Sequence, residues 1–133
     1  MTIAKEIQSI QYDSSTLKRA ERALRCSPFK LGLFVAMQNQ SVPLSAIAST
    51  SGIQQDYTQK PLSESRTESD LMWLIDVGLL RREVDGQGIT DSFRLTPLGR
   101  QLVEKWSKQG SRGKPSWLDS LINTINRWFH LPF

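Results

Sequence analysis

From Ser65 to Trp106 the chain reads SRTESDLMWLIDVGLLRREVDGQGITDSFRLTPLGRQLVEKW. Few arrangements satisfy that order except helix, glycine stop, strand, turn, strand, helix. Ser65-Arg66-Thr67-Glu68 has the spacing of a capping box, in which the serine accepts from a backbone N–H and the glutamate returns the bond. Thr67, Leu71, Leu74 and Ile75 recur at helical spacing and define an inward face, which leaves Arg66, Ser69, Asp70 and Trp73 on the outward one. The helix is predicted to run to about Val77, with Gly78 as its stop. Leu79–Val84 and Ile89–Leu95 flank Asp85-Gly86-Gln87-Gly88, whose glycines supply the positive φ that a tight hairpin turn needs. Phe93 and Leu95 alternate with Ser92 and Arg94, so one face packs and the other is wet. Thr96-Pro97 then opens a helix whose Leu98, Leu102, Val103 and Trp106 form an inward stripe.

The residues upstream supply further helices. TLKRAERALR, residues 16–25, places Leu17, Ala20 and Leu24 on one face among bases. Ser27-Pro28 reads as the start of a mostly apolar, buried helix, FKLGLFVAMQNQ. Ser41-Val42-Pro43 breaks the chain and puts Val42 in a short extended piece. Leu44, Ile47 and Ala48 fit a short helix ending at Gly52, with Ile53 folding back onto it. Gln54 to Ser63 reads as an inserted loop or an extra helical turn.

After QGSRGKPS, a linker by composition, comes SWLDSLINTINRWFHLPF. Leu118, Leu121, Ile122, Ile125 and Phe129 share a helical face, with Trp117 and Trp128 at its edges. Asp119, Asn123, Asn126 and Arg127 lie elsewhere. Such a helix is not stable alone in water, so its apolar side must be covered. The expected architecture is mainly α with a small β-hairpin. It divides into an N-terminal helical extension (1–26), a central domain (27–108), a linker (109–116) and a C-terminal amphipathic helix (117–133).

The segments PLSAIASTSGI, LMWLIDVGLLRREVD, the Gly86–Gly88 turn and FRLTPLGRQLVEKW together resemble a winged helix-turn-helix. The resemblance is to multiple-antibiotic-resistance and PadR-like regulators, and to a small cyanobacterial winged-helix group, over about Ser27 to Lys108. It implies a winged helix-turn-helix with extra N- and C-terminal helices, acting as a bacterial DNA-binding transcriptional regulator. The helix after Ser65 would enter the major groove of double-stranded DNA, with Arg66, Ser69 and Trp73 facing bases. Arg81, Arg82, Gln87 and Arg94 would be contacts on the wing side, and Lys30 would reach the backbone. The resemblance also implies a homodimer built by the terminal helices, through Leu17, Leu24, Trp117, Leu118, Leu121, Ile122, Ile125, Trp128 and Phe129.

Charge pulls the other way. The net charge is +4, but Glu64, Glu68, Asp70 and Asp76 surround Arg66 on the helix that would meet phosphates. The alternative is therefore a winged-helix protein–protein interaction module that does not bind DNA. A membrane-surface role for the last helix ranks third, because its polar face carries asparagines rather than lysines.

Enzymatic chemistry is not expected. The single histidine, His130, and single cysteine, Cys26, lack partners at metal-ligand spacing. Without a positioned base no serine triad can be drawn, and neither a cofactor nor a metal is implied. No apolar run reaches the roughly 18 residues of a membrane span. The N-terminal residues lack a secretory pattern, and one cysteine makes no disulfide framework, so a cytoplasmic home is expected.

Overall fold

A computed structural model describes residues 12–84, 91–109 and 117–129. The fold is mainly helical with a small antiparallel sheet, as the sequence implied. The elements are α1 (Ser14–Cys26), α2 (Leu31–Asn39), β1 (Val42–Pro43), α3 (Leu44–Ile47), α4 (Ser49–Gln54) and α5 (Glu64–Asp76). They continue with β2 (Leu80–Val84), β3 (Asp91–Leu95), α6 (Pro97–Gln109) and α7 (Trp117–Phe129).

The sheet has three strands in the order β1-β3-β2. Leu80 pairs with Leu95 and Arg82 with Phe93, while Val42 joins from the other side opposite Phe93. The hairpin and an extended piece at Val42 were expected from sequence, but not the pairing of that piece with β3, because a two-residue strand has no periodicity to show its partner. The Asp85–Gly88 turn and Gln87 lie outside the described residues.

The core collects Phe29, Leu33, Phe34, Met37, Ile47, Leu71, Leu74, Leu79, Phe93 and Val103, all buried. The predicted stripes on α5 and α6 point into it, and Ala20, Ala23 and Leu24 of α1 join the same cluster. Phe34 sits between Phe29, edge-on, and Trp106, tilted, the arrangements that aromatic quadrupoles favour.

Caps set the helix boundaries, and two differ from expectation. Asp13 opens α1 by accepting from the Thr16 N–H at 2.7 Å, and that bond holds its carboxyl below the usual range. Ser27 closes α1 instead of opening α2: its N–H and its hydroxyl both donate to the Leu24 carbonyl. Phe29 pairs with Thr58 in an isolated bridge, so α2 begins only at Leu31. At α5 the cap is Ser63, whose Oγ accepts from the Arg66 N–H at 3.0 Å, and not Ser65. Two serines two residues apart look alike in sequence, and the chain's entry direction decides between them. Ser63→Ala is accordingly expected to lower stability by about 1 kcal/mol, with Ser65→Ala within a few tenths, measured by urea denaturation.

The far end of α5 behaves as predicted. Gly78 takes φ +90°, its N–H donates to the Ile75 carbonyl, and the Leu79 N–H reaches back to Leu74, as in a Schellman stop. Thr96 opens α6: its Oγ accepts from the Gly99 N–H at 3.0 Å and donates toward the Gly78 and Leu79 carbonyls.

The stretch around Gln54–Ser63 is strapped down. Helix breaks at Ala48, Ser49 adopts φ +57°, and Gly52 lies inside α4 rather than ending a helix. Ile53 is exposed instead of folding back. Backbone bonds from Lys30 to Tyr57, from Tyr57 to Gly52 and from Ser49 to Leu62 hold the segment against the domain. This satisfies polar backbone that a long loop would leave to water.

Candidate interaction surface: the α5–α7 seam and the outward face of α7

The outward face of α5 is covered by α7. Trp73, 6% exposed, donates its indole N–H to Asn123 Oδ1 at 2.9 Å. Asp70, equally buried, accepts from Arg66 Nε and from Arg127 Nη1, both at 2.9 Å. Arg127 also donates to Ser69 Oγ at 2.7 Å. At the other end of α7, Asp119 receives Arg25 of α1 at 3.2 Å and lies 3.6 Å from Arg22. Asn126 is buried in the same seam-facing line of α7.

These groups have a common logic. A buried carboxylate and a buried indole N–H each need a partner, since an unpaired one costs the full desolvation penalty. The line Asp119, Asn123, Asn126, Arg127 supplies those partners from one helical face, at i, i+4, i+7 and i+8. The seam leaves a crevice of only about 80 Å³ among Cys26, Arg66, Asp70, Trp73, Asn123 and Arg127, well below the roughly 300 Å³ of a ligand pocket. Burial pushes the Cys26 thiol up, so it stays protonated at neutral pH and is a poor nucleophile.

Seating the polar face inward turns the apolar face outward and leaves it uncovered by its own domain. Trp117 is 77% exposed, Trp128 64%, Leu118 49% and Leu121 48%. Ile122 and Ile125 are half-buried, and the Phe129 side chain lies outside the described residues. The other half of the anticipated dimer surface is absent: Leu24 is buried and Leu17 packs against the core. Helix α1 spends its apolar side on its own domain.

The residues expected to touch DNA fall in separate groups on α5, on the hairpin and at Lys30, and most are engaged within the chain. Ser69 and Trp73 are engaged by α7, and Arg66 remains exposed with its Nε on Asp70. Arg81 pairs with Glu83 at 3.0 Å and Arg82 with Asp91 at 3.3 Å, while the Arg82 guanidinium stands over the Phe93 ring. Arg94 faces Arg81 across the ladder, and Lys30 pairs with Asp56. Their charges are mostly met by neighbouring acids instead of forming a basic track. Among the described residues, no three His, Cys, Asp or Glu side chains are placed to hold a metal ion.

Fold and surface together define a small, mainly helical protein with a three-stranded sheet, whose terminal helix seals one face and offers another. No curated protein and no solved structure matches it. The chain belongs to the Npun_F0494-like family, whose model matches residues 10–127, a span that includes the α5–α7 seam.

Proposed function

We propose that this is a winged-helix protein that works by docking to another surface and not by reading DNA. The winged-helix reading is supported by the run α2-β1-α3-α4-α5-β2-β3 and by the sheet order β1-β3-β2. One observation carries the functional choice: α7 occupies the face of α5 that would have to enter the major groove. Presenting that face to DNA requires breaking the Trp73–Asn123 and Asp70–Arg127 contacts. It would also bring Glu64, Glu68, Asp70 and Asp76 toward phosphates, which is repulsive. What the assembled chain offers instead is the outward side of α7, an apolar patch of the size that marks interaction sites.

This role needs no catalytic group, and we assign none. Among the described residues no helix is long and apolar enough to cross a membrane, and a cytoplasmic location fits a sequence whose single cysteine makes no internal disulfide. A homodimer, if formed, would use α7 alone, since α1 has no free apolar side.

The test is gel retardation of pooled genomic DNA by the full chain at low salt. No shift is expected, and Arg94→Ala should behave as wild type. A retarded complex that weakens steeply with salt and with Arg94→Ala would overturn the docking reading.

A further inference from the structure

We infer that the outward face of α7 docks on an anionic lipid bilayer, lying in the headgroup region without crossing it. This rests on the docking reading above and names its partner. The asparagines of α7 argued against lipid only while its polar face was taken to be exposed. In the structure Asn123 and Asn126 are turned into the protein, and the charge of Asp119 is met by Arg22 and Arg25.

The composition of the exposed face suits a membrane interface. Trp117 and Trp128 stand on one line about 16 Å apart along the helix, with Leu118, Leu121 and Ile125 between them. Tryptophan at both ends of a short apolar stripe is the pattern of a helix lying in the headgroup layer. No charged side chain belongs to the stripe. Thr124, beside it, donates its hydroxyl to the Ser120 carbonyl at 2.9 Å, so its polar group is already satisfied when water leaves. The Arg127 guanidinium stacks on Trp128 at 5.2 Å while remaining bonded to Asp70.

Area and charge select lipid over a second copy. The exposed side chains of the stripe amount to on the order of 500 Å² per molecule, taking about 200 Å² for an aromatic side chain. Two such faces together would bury on the order of 1,000 Å², the floor for a specific protein interface. A bilayer takes one helix at a time and requires no register. In sequence, Lys105, Lys108, Arg112 and Lys114 precede α7 with no acid from Lys105 to Ser116; Lys108 is exposed near the end of α6, whereas Lys105 lies 3.5 Å from Glu21. Such a run complements anionic headgroups.

The experiment is flotation of the full chain with phosphatidylcholine–phosphatidylglycerol vesicles, beside pure phosphatidylcholine vesicles and a high-salt arm. The chain should float with the mixed vesicles, less with the neutral ones, and less as salt rises. Trp117→Ser with Trp128→Ser should lower the bound-to-free ratio on the order of a hundredfold. Its far-UV circular dichroism should be unchanged, because both side chains are exposed. No flotation, equal flotation with neutral vesicles, or flotation indifferent to the double substitution would each overturn the assignment. A non-floating chain that sediments as a dimer, and as a monomer once both tryptophans are replaced, overturns lipid but leaves docking standing. DNA retardation strikes at the docking reading itself.

Discussion

Gly99→Ala is expected to cost about 3 kcal/mol or more of folding stability, even though alanine is the better helix former by about 1 kcal/mol. A Cβ at position 99 would lie 2.2 Å from the Leu79 carbonyl oxygen and 2.9 Å from Leu95 Cδ2. The carbonyl is the harder obstacle, because it is backbone and cannot rotate aside. It accepts the Thr96 N–H at 3.1 Å and belongs to the junction that joins α5, β3 and α6. Relief of the clash therefore needs α6 to move away from the sheet, which loosens Leu98, Leu102 and Val103 in the core. Overpacking of this kind usually costs 1–3 kcal/mol and more where backbone must shift. Urea denaturation measures it directly. A change within 1 kcal/mol of wild type would mean that α6 does not approach Leu79 this closely.

The second large effect belongs to the seam. Asp70→Ala removes the carboxylate that Arg66 and Arg127 share and should destabilise the protein by about 2–3 kcal/mol. Removing one partner of a fully buried pair costs about 3–5 kcal/mol. The figure is lower here because the Arg66 side chain is 62% exposed, whereas that of Arg127 is 19% exposed. Arg127 would be left facing Trp73 and Ser69 without its counter-charge, so α7 should loosen before the core does. Amide hydrogen exchange should report this as faster exchange across α7 with little change in α2 or β3. Arg66→Ala is the contrasting case: it deletes an exposed partner and should cost less than about 1 kcal/mol. Equal losses for the two variants would show that Asp70 is not the pivot of the seam.

Much of the fold was legible in local sequence. Gly78 stops α5, Thr96 opens α6, and the stripe Leu98, Leu102, Val103, Trp106 points inward, because each rests on contacts within a turn or two of chain. Where two local signals competed, the sequence misled. Ser27 and Ser63 are both caps, but Ser27 closes one helix where it was expected to open another, and Ser63 takes the role expected of Ser65. The Gln54–Ser63 segment read as a loop or an extra helical turn because its tethers to Lys30, far away in the chain, and to Ser49 and Gly52 just upstream are backbone bonds that leave no mark on side-chain pattern. The candidate site was the least legible part. Asn123 and Arg127 were placed only off the apolar face of α7 and given no partner, although their line with Asp119 and Asn126 is as regular as the apolar one. That regularity was the available signal.

By itself, the sequence determined that α5 carries an acid-rich face with Trp73 and Asp70 upon it, and that α7 has one apolar and one polar side. Which side of α7 turns inward was a tertiary decision. Amphipathicity defines two faces and is silent on which meets the body. The usual expectation of apolar-in assumes a core still open to receive it. Here the core is already closed by α1, α2, α5, α6 and the sheet, and the surface left for α7 displays a buried carboxylate and an indole N–H. Those groups are stabilised by hydrogen bonds and not by hydrocarbon, so the polar side of α7 docks and the tryptophans face out.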